Sequence, residues 1–190
     1  MPFPIAAAPS TTKNSIVPLW FVTQGGGSAV TNFNSIPQGY QDLIIVTNGF
    51  YTGTAGTYAI NADGWTDTSG SIASSPCSNN GYYGWNNGAQ TYTSSNAGLI
   101  NLQPQGVALN QPHTTIVHIL NYASTTQYKT VLVETACDVN GTTAGVSFVS
   151  AGSIRTLLPI TGFNISTYNG LAVWSNTSVQ AVYGIKGPKQ

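Results

Sequence analysis

Glutamate occurs once in this chain, as Glu134, and lysine only four times. These are the residues that usually cover the solvent face of a helix, so a helical surface is hard to build here. In all, ten residues are charged: Lys13, Asp42, Asp63, Asp67, Lys129, Glu134, Asp138, Arg155, Lys186 and Lys189. They make up 5% of the chain and cancel to a net charge of zero, against about 25% charged residues in an ordinary soluble domain. The outside must therefore be made polar by Asn, Gln, Ser and Thr. Ten Tyr, six Phe and four Trp, together with many Val, Ile and Thr, favour strands. The fold class expected is all-β. A surface this poor in charge gains little solubility from self-repulsion, and it suits a subunit that works inside a larger assembly.

The length of 190 residues fits one domain with a sizeable core. Disorder usually requires a high net charge, and this chain has none. The start, M-P-F-P-I-A-A-A-P-S, lacks the basic residues and unbroken apolar run of a signal peptide. No stretch approaches the roughly 18 apolar residues of a membrane helix. Synthesis in a cytoplasm without export by that route is the expectation. Five scattered basic residues give no electrostatic footprint for nucleic acid, and no amphipathic membrane helix is present.

Residues 1–14 read as an extended N-terminal arm, and residues 15–187 as a single β-sandwich or jelly-roll-like domain. I-V-P-L-W-F-V-T (16–23) and S-A-V-T-N-F-N (28–34) flank Q-G-G-G, a hairpin pattern. D-L-I-I-V-T (42–47) is a continuous apolar run of strand length, which predicts a strand covered on both faces. Residues 48–98 are rich in Gly, Ser, Thr and Asn with interspersed aromatics, and predict long loop excursions with one strand at 57–61. Further strands are expected at 114–120, 128–137, 144–150, 154–160, 170–174 and 178–185, nine or ten in all.

The chemistry available is thin. His113 and His118 read as structural histidines, and no G-x-S-x-G is present. Asp63 and Asp67, in N-A-D-G-W-T-D, are the candidate acid/base couple and the candidate calcium ligands, beside the plainer reading of an Asp-Gly turn. No cofactor is expected. Cys77 and Cys137 are too few for a zinc site or a disulfide framework. Alternation places Cys137 on the face of Val131 and Val133 as a buried thiol, and two free thiols are expected over one disulfide. Trp65, Tyr82, Tyr83, Trp85 and Tyr92 are the candidates for stacking on a glycan, or else they pin down the long loops.

Three stretches in order carry a resemblance: T-N-F-N-S-I-P-Q-G-Y-Q-D-L-I-I-V (31–46), I-L-N-Y-A-S-T-T-Q-Y-K-T-V-L-V-E (119–134) and V-Q-A-V-Y-G-I-K-G (179–187). The chain resembles tailed-bacteriophage virion proteins with "S-I-P-Q-x-Y-x-D-L", "N-Y-A-x-x-T-x-x-K" and "L-Y-G-I-K" segments. The last reads V-Y-G-I-K here, and residues 48–98 lie outside the match. The resemblance implies a non-enzymatic β-sandwich on the exterior of a virion. With a short arm before the domain and almost nothing after it, the expectation is a capsid decoration or cement protein. It would bridge capsomers as a homo-oligomer, a trimer at local three-fold positions, with the major capsid protein and other virion proteins as partners. The alternative is a tail-fibre or tip module that contacts host surface glycan through the aromatic loops.

Overall fold

The computed structural model describes residues 15–24, 27–49, 51–53, 58–72, 77–85, 88–95, 100–107, 113–138, 145–167, 172–175 and 177–187. The segment 1–14, expected to be an extended arm, lies outside these residues. Among them there is no helix. The strands are β1 (Ile16–Thr23), β2 (Val30–Asn34), β3 (Asp42–Gly49), β4 (Tyr51–Gly53), β5 (Tyr58–Asp67), β6 (Gly70–Ser71), β7 (Cys77–Trp85) and β8 (Gly88–Ser95). They continue with β9 (Ile100–Val107), β10 (His113–Leu120), β11 (Lys129–Asp138), β12 (Gly145–Ile154), β13 (Ile160–Thr167), β14 (Ala172–Trp174) and β15 (Val179–Ile185).

The chain is an all-β antiparallel sandwich. One sheet has eight strands in the order β1-β15-β3-β10-β11-β12-β7-β8. The other has the order β2-β13-β5-β6, with β9 also paired to β5. β4 and β14 form a separate two-stranded ladder. Alternation explains the large sheet: Leu43 and Ile45, Val117 and Ile119, Val131 and Val133 all point inward and are buried. The small sheet answers with Phe33, Trp65, Ile100, Leu102, Phe163 and Ile165. Phe163 stacks on Phe33 with centroids 5.1 Å apart and lies 5.3 Å from Trp65, so three strands are stitched by aromatic rings. The core also holds polar side chains. The Thr115 and Thr135 hydroxyls are 2.8 Å apart, and Thr135 donates to the Leu102 carbonyl of the opposite sheet.

Several expectations are corrected. β1 and β2 are not a hairpin: β1 pairs with β15 in the large sheet and β2 with β13 in the small one. The connection between them crosses from one layer to the other, held by the Gln24 amide N–H on the Ser178 carbonyl and the Gln24 side chain on Thr31. Gly27 supplies a positive φ of 78° on the way. Residues 48–98 are not mainly loops, since β5, β7 and β8 run through them. The segment 154–160 is not a strand; β12 ends at Ile154 and β13 begins at Ile160. β3 is covered on one face only, with Leu43 and Ile45 in the core but Ile44 and Val46 half-buried on the outside.

The three stretches that carry the family resemblance meet at one end of the sandwich. The Tyr122 hydroxyl donates to the Pro37 carbonyl, and the Asn121 amide to Asp42 at 2.8 Å. The Tyr40 ring lies where a Cβ on Gly184 would sit, about 2.4 Å from that position, so a larger residue there is excluded. Lys186 stands over the same ring, 6.0 Å from its centroid. Lys129 is fully buried. Its Nζ donates to the carbonyls of Ser124 (2.6 Å), Gln127 (3.3 Å) and Thr156 (3.0 Å), closing the 121–127 loop from beneath.

Candidate interaction surface

In a two-layer antiparallel sandwich the outward face of each sheet is ordinarily polar. In the eight-stranded sheet a central band of it is apolar, between rungs that carry Asn48, Thr114 and Ser147 on one side and Thr130 and Ser153 on the other. Across the strands, Phe21, Ala181, Val46, Ile116, Glu134, Val149, Tyr82 and Thr91 stand side by side in register. Phe21 and Tyr82 are each 67% exposed, and Val149 is 56% exposed. The next row carries Pro18, Tyr183, Ile44, His118, Leu132, Ala151 and Asn80. Ile116, Glu134 and Val149 border an open depression of about 300 Å³, with Thr114, Ala136 and Ser147 around it. Among the described side chains of this face the acidic and basic ones are Asp42, His118 and Glu134. His118 Nε2 lies 3.8 Å from Asp42 Oδ2, so those two are set against each other.

The residues singled out from the sequence are scattered over the fold. Trp65 lies on β5 with its indole in the core against Phe163, so it offers no face to a ligand in solution. The remaining four aromatics fall on the β7–β8 pair, where Tyr82 opposes Thr91, Tyr83 opposes Gln90, Gly81 opposes Tyr92 and Trp85 opposes Gly88. The side chains of Tyr83, Trp85 and Tyr92 lie outside the described residues. Tyr82 is on the outer face, with Asn80 exposed two residues before it.

Asp63 and Asp67 are both on β5 rather than at an Asp-Gly turn. They serve different partners. Asp63 accepts from the Ser166 hydroxyl at 2.6 Å. Asp67 accepts from the amide and hydroxyl of Ser69 at 2.8 and 2.6 Å, shaping the turn into β6, and from Thr156 at 3.0 Å. Burial opposes ionisation of Asp67, but the Ser69 and Thr156 hydrogen bonds and the charge of Lys129 outweigh it and hold the carboxyl below its ordinary range. Among the described residues no three His, Cys, Asp or Glu side chains gather as metal ligands.

Two further titratable groups, His113 and Cys77, are enclosed. Burial pushes His113 down to about 4, against a partly compensating hydrogen bond with the Gly49 backbone. Burial pushes the Cys77 thiol up to about 12, which leaves it unreactive. Cys77 and Cys137 are not joined by a disulfide. Cys77 aligns with Ile154 on β12 and Cys137 with Val146 on the same strand, roughly 26 Å apart along a strand rising about 3.3 Å per residue. That distance far exceeds what a disulfide can span. Cys137 shares the inward face with Val131 and Val133, as its spacing predicts.

Sequence reasoning did not single out Phe21, Ile116, Leu132 or Val149 as an outward set. The signal for them was the apolar run of β3. It reads as a strand covered on both sides, whereas one chain covers only one. No protein-family model, no curated protein and no solved structure matches this chain.

Proposed function

We propose that this chain is a non-enzymatic structural protein of a tailed-bacteriophage virion, a decoration or cement protein on the outside of the capsid. The observation that carries the reading is the uncovered, charge-poor face of the eight-stranded sheet, with Phe21, Ile116, Leu132, Val149 and Tyr82 exposed along it. A free soluble protein rarely leaves such an area bare, and the usual reason is a neighbour. The segment resemblance supports the phage setting. The continuous antiparallel ladder of eight strands supports a role exerted through contact. A shell protein of this kind acts by contact, bridging neighbours so that internal pressure does not separate them. A neutral surface also avoids the desolvation penalty of burying charges between subunits.

Copy number tests this directly. Quantitative mass spectrometry of purified particles, with the major capsid protein as internal standard, is expected to give a near-stoichiometric ratio. A few to a few dozen copies would overturn the capsid assignment and move the protein to the tail. A tail-tip module is the second reading. Its support is Tyr82, whose ring and neighbouring Asn80 amide stand open on β7, a pairing suited to a sugar face and its hydroxyls.

A further inference from the structure

We infer that the depression beside Glu134 seats an arginine side chain of a neighbouring protein in the particle. The inference deepens the decoration reading above and rests on it. The seat is built by register. Thr114, Ala136 and Ser147 stand side by side on β10, β11 and β12, and these short side chains form its floor. One rung along, Ile116, Glu134 and Val149 stand in the same order, a wall with one carboxylate between two apolar side chains. The space is about 300 Å³, the lower end of what small-ligand sites offer. Three observations fix the occupant's chemistry. First, the Glu134 carboxylate has no hydrogen-bond or ion-pair partner among the described residues. Asp42, the other acid of this face, accepts the Asn121 amide and lies 3.8 Å from His118. Second, no cation among the described residues serves Glu134. Lys129 is buried on three carbonyls, and Lys186 stands over Tyr40. Arg155 is six residues beyond Val149, roughly 20 Å of extended chain. Third, the Tyr82 ring stands exposed next to Val149. An arginine answers all three: its planar guanidinium donates two parallel hydrogen bonds to a carboxylate and stacks on a ring, while its stem lies along Ile116 and Val149. A lysine would bring the charge without the fork or the stacking. A purely apolar neighbour would leave Glu134 buried and unpaired.

The experiment is an NMR titration of the nitrogen-15-labelled full chain with N-acetyl-arginine amide. Saturable shifts are expected at the amides of Thr114, Ile116, Glu134, Ala136, Ser147 and Val149, with a Kd on the order of 1 mM. The citrulline amide, which has the same shape without the charge, should give none, and the lysine amide should bind more weakly. Glu134→Gln should weaken arginine binding by at least about tenfold. Glu134 is exposed, so the variant should keep its melting temperature, and Asp42→Asn should bind as the wild type does. On particles stripped of the chain, Glu134→Gln should rebind at least about tenfold more weakly than the wild type. Equal responses to the arginine and citrulline amides overturn the inference, as do a lysine amide bound as tightly as arginine and undiminished binding or rebinding by Glu134→Gln. A chain present at near-stoichiometric copy number that ignores the arginine amide overturns the seat and leaves the decoration role standing. A chain that binds arginine through Glu134 but is present at only a few copies does the reverse.

Discussion

Burial keeps the His113 imidazole neutral by holding its pKa at about 4, against an ordinary 6.5. The unfolded chain takes up the proton more readily, so His113 favours the folded state above pH 6.5 and withdraws that support as the pH falls toward 4. At 1.36 kcal/mol per unit the loss is roughly 3 kcal/mol. Urea titrations at pH 7.5 and 4.5 should show a drop of this order, and His113→Gln should flatten it; an unchanged drop in the variant would remove His113 as its source. Residue roles were unevenly legible in the sequence. The inward face of Cys137 follows from simple alternation on β11. The burial of Lys129 does not, because its three carbonyl partners come from the 121–127 loop and from Thr156. Only the folded loop brings them together. Trp65 was equally opaque: an aromatic in a Gly- and Asn-rich stretch looks like a loop anchor until β13 places Phe163 against it.

At the level of strands, β7 and β13 were hardest to read, each for a physical reason. The described inward positions of β7 are Cys77, Asn79 and Gly81, which show no apolar alternation. At Gly81 the large residue comes from the neighbour: a Cβ there would lie 2.6 Å from Ser150 Cβ and 2.9 Å from the Phe148 ring. In β13 the period of two is broken by register shifts around Gly162, and its burial is nearly continuous. The strands with clean alternation, β10 and β11, were legible almost to the residue. The stitching of β2, β13 and β5 gives a measurable contrast. Trp65→Ala should cost about 3–5 kcal/mol of folding stability, as large aromatic deletions in a core do. Tyr82→Ala, on the exposed face of β7, should change stability by less than about 0.5 kcal/mol. Equal effects in chemical denaturation would contradict the core assignment of the indole.

Across the whole molecule, the first and last strands of the domain are neighbours. Ile16 pairs with Ile185, and the Lys186 amide donates to the Ser15 carbonyl at 3.1 Å. A circular permutant that joins Gly187 to Ser15 by a short Gly-rich linker, and opens the chain between the exposed Gly27 and Ser28, should therefore fold. β1 would then follow β15 as a local hairpin in place of the most distant pairing in the chain, and lower contact order should speed refolding. Stopped-flow refolding compares the two directly, and a permutant that is slower or unfolded would contradict the argument. The same adjacency decides how the sandwich answers a pull. Tension applied at Ser15 and Lys186 opens the β1–β15 ladder from its end, one rung at a time, as a zipper yields. Force spread across the broad sheet face meets every rung of the ladder together. A protein built this way is weak as a tether and strong as a plate.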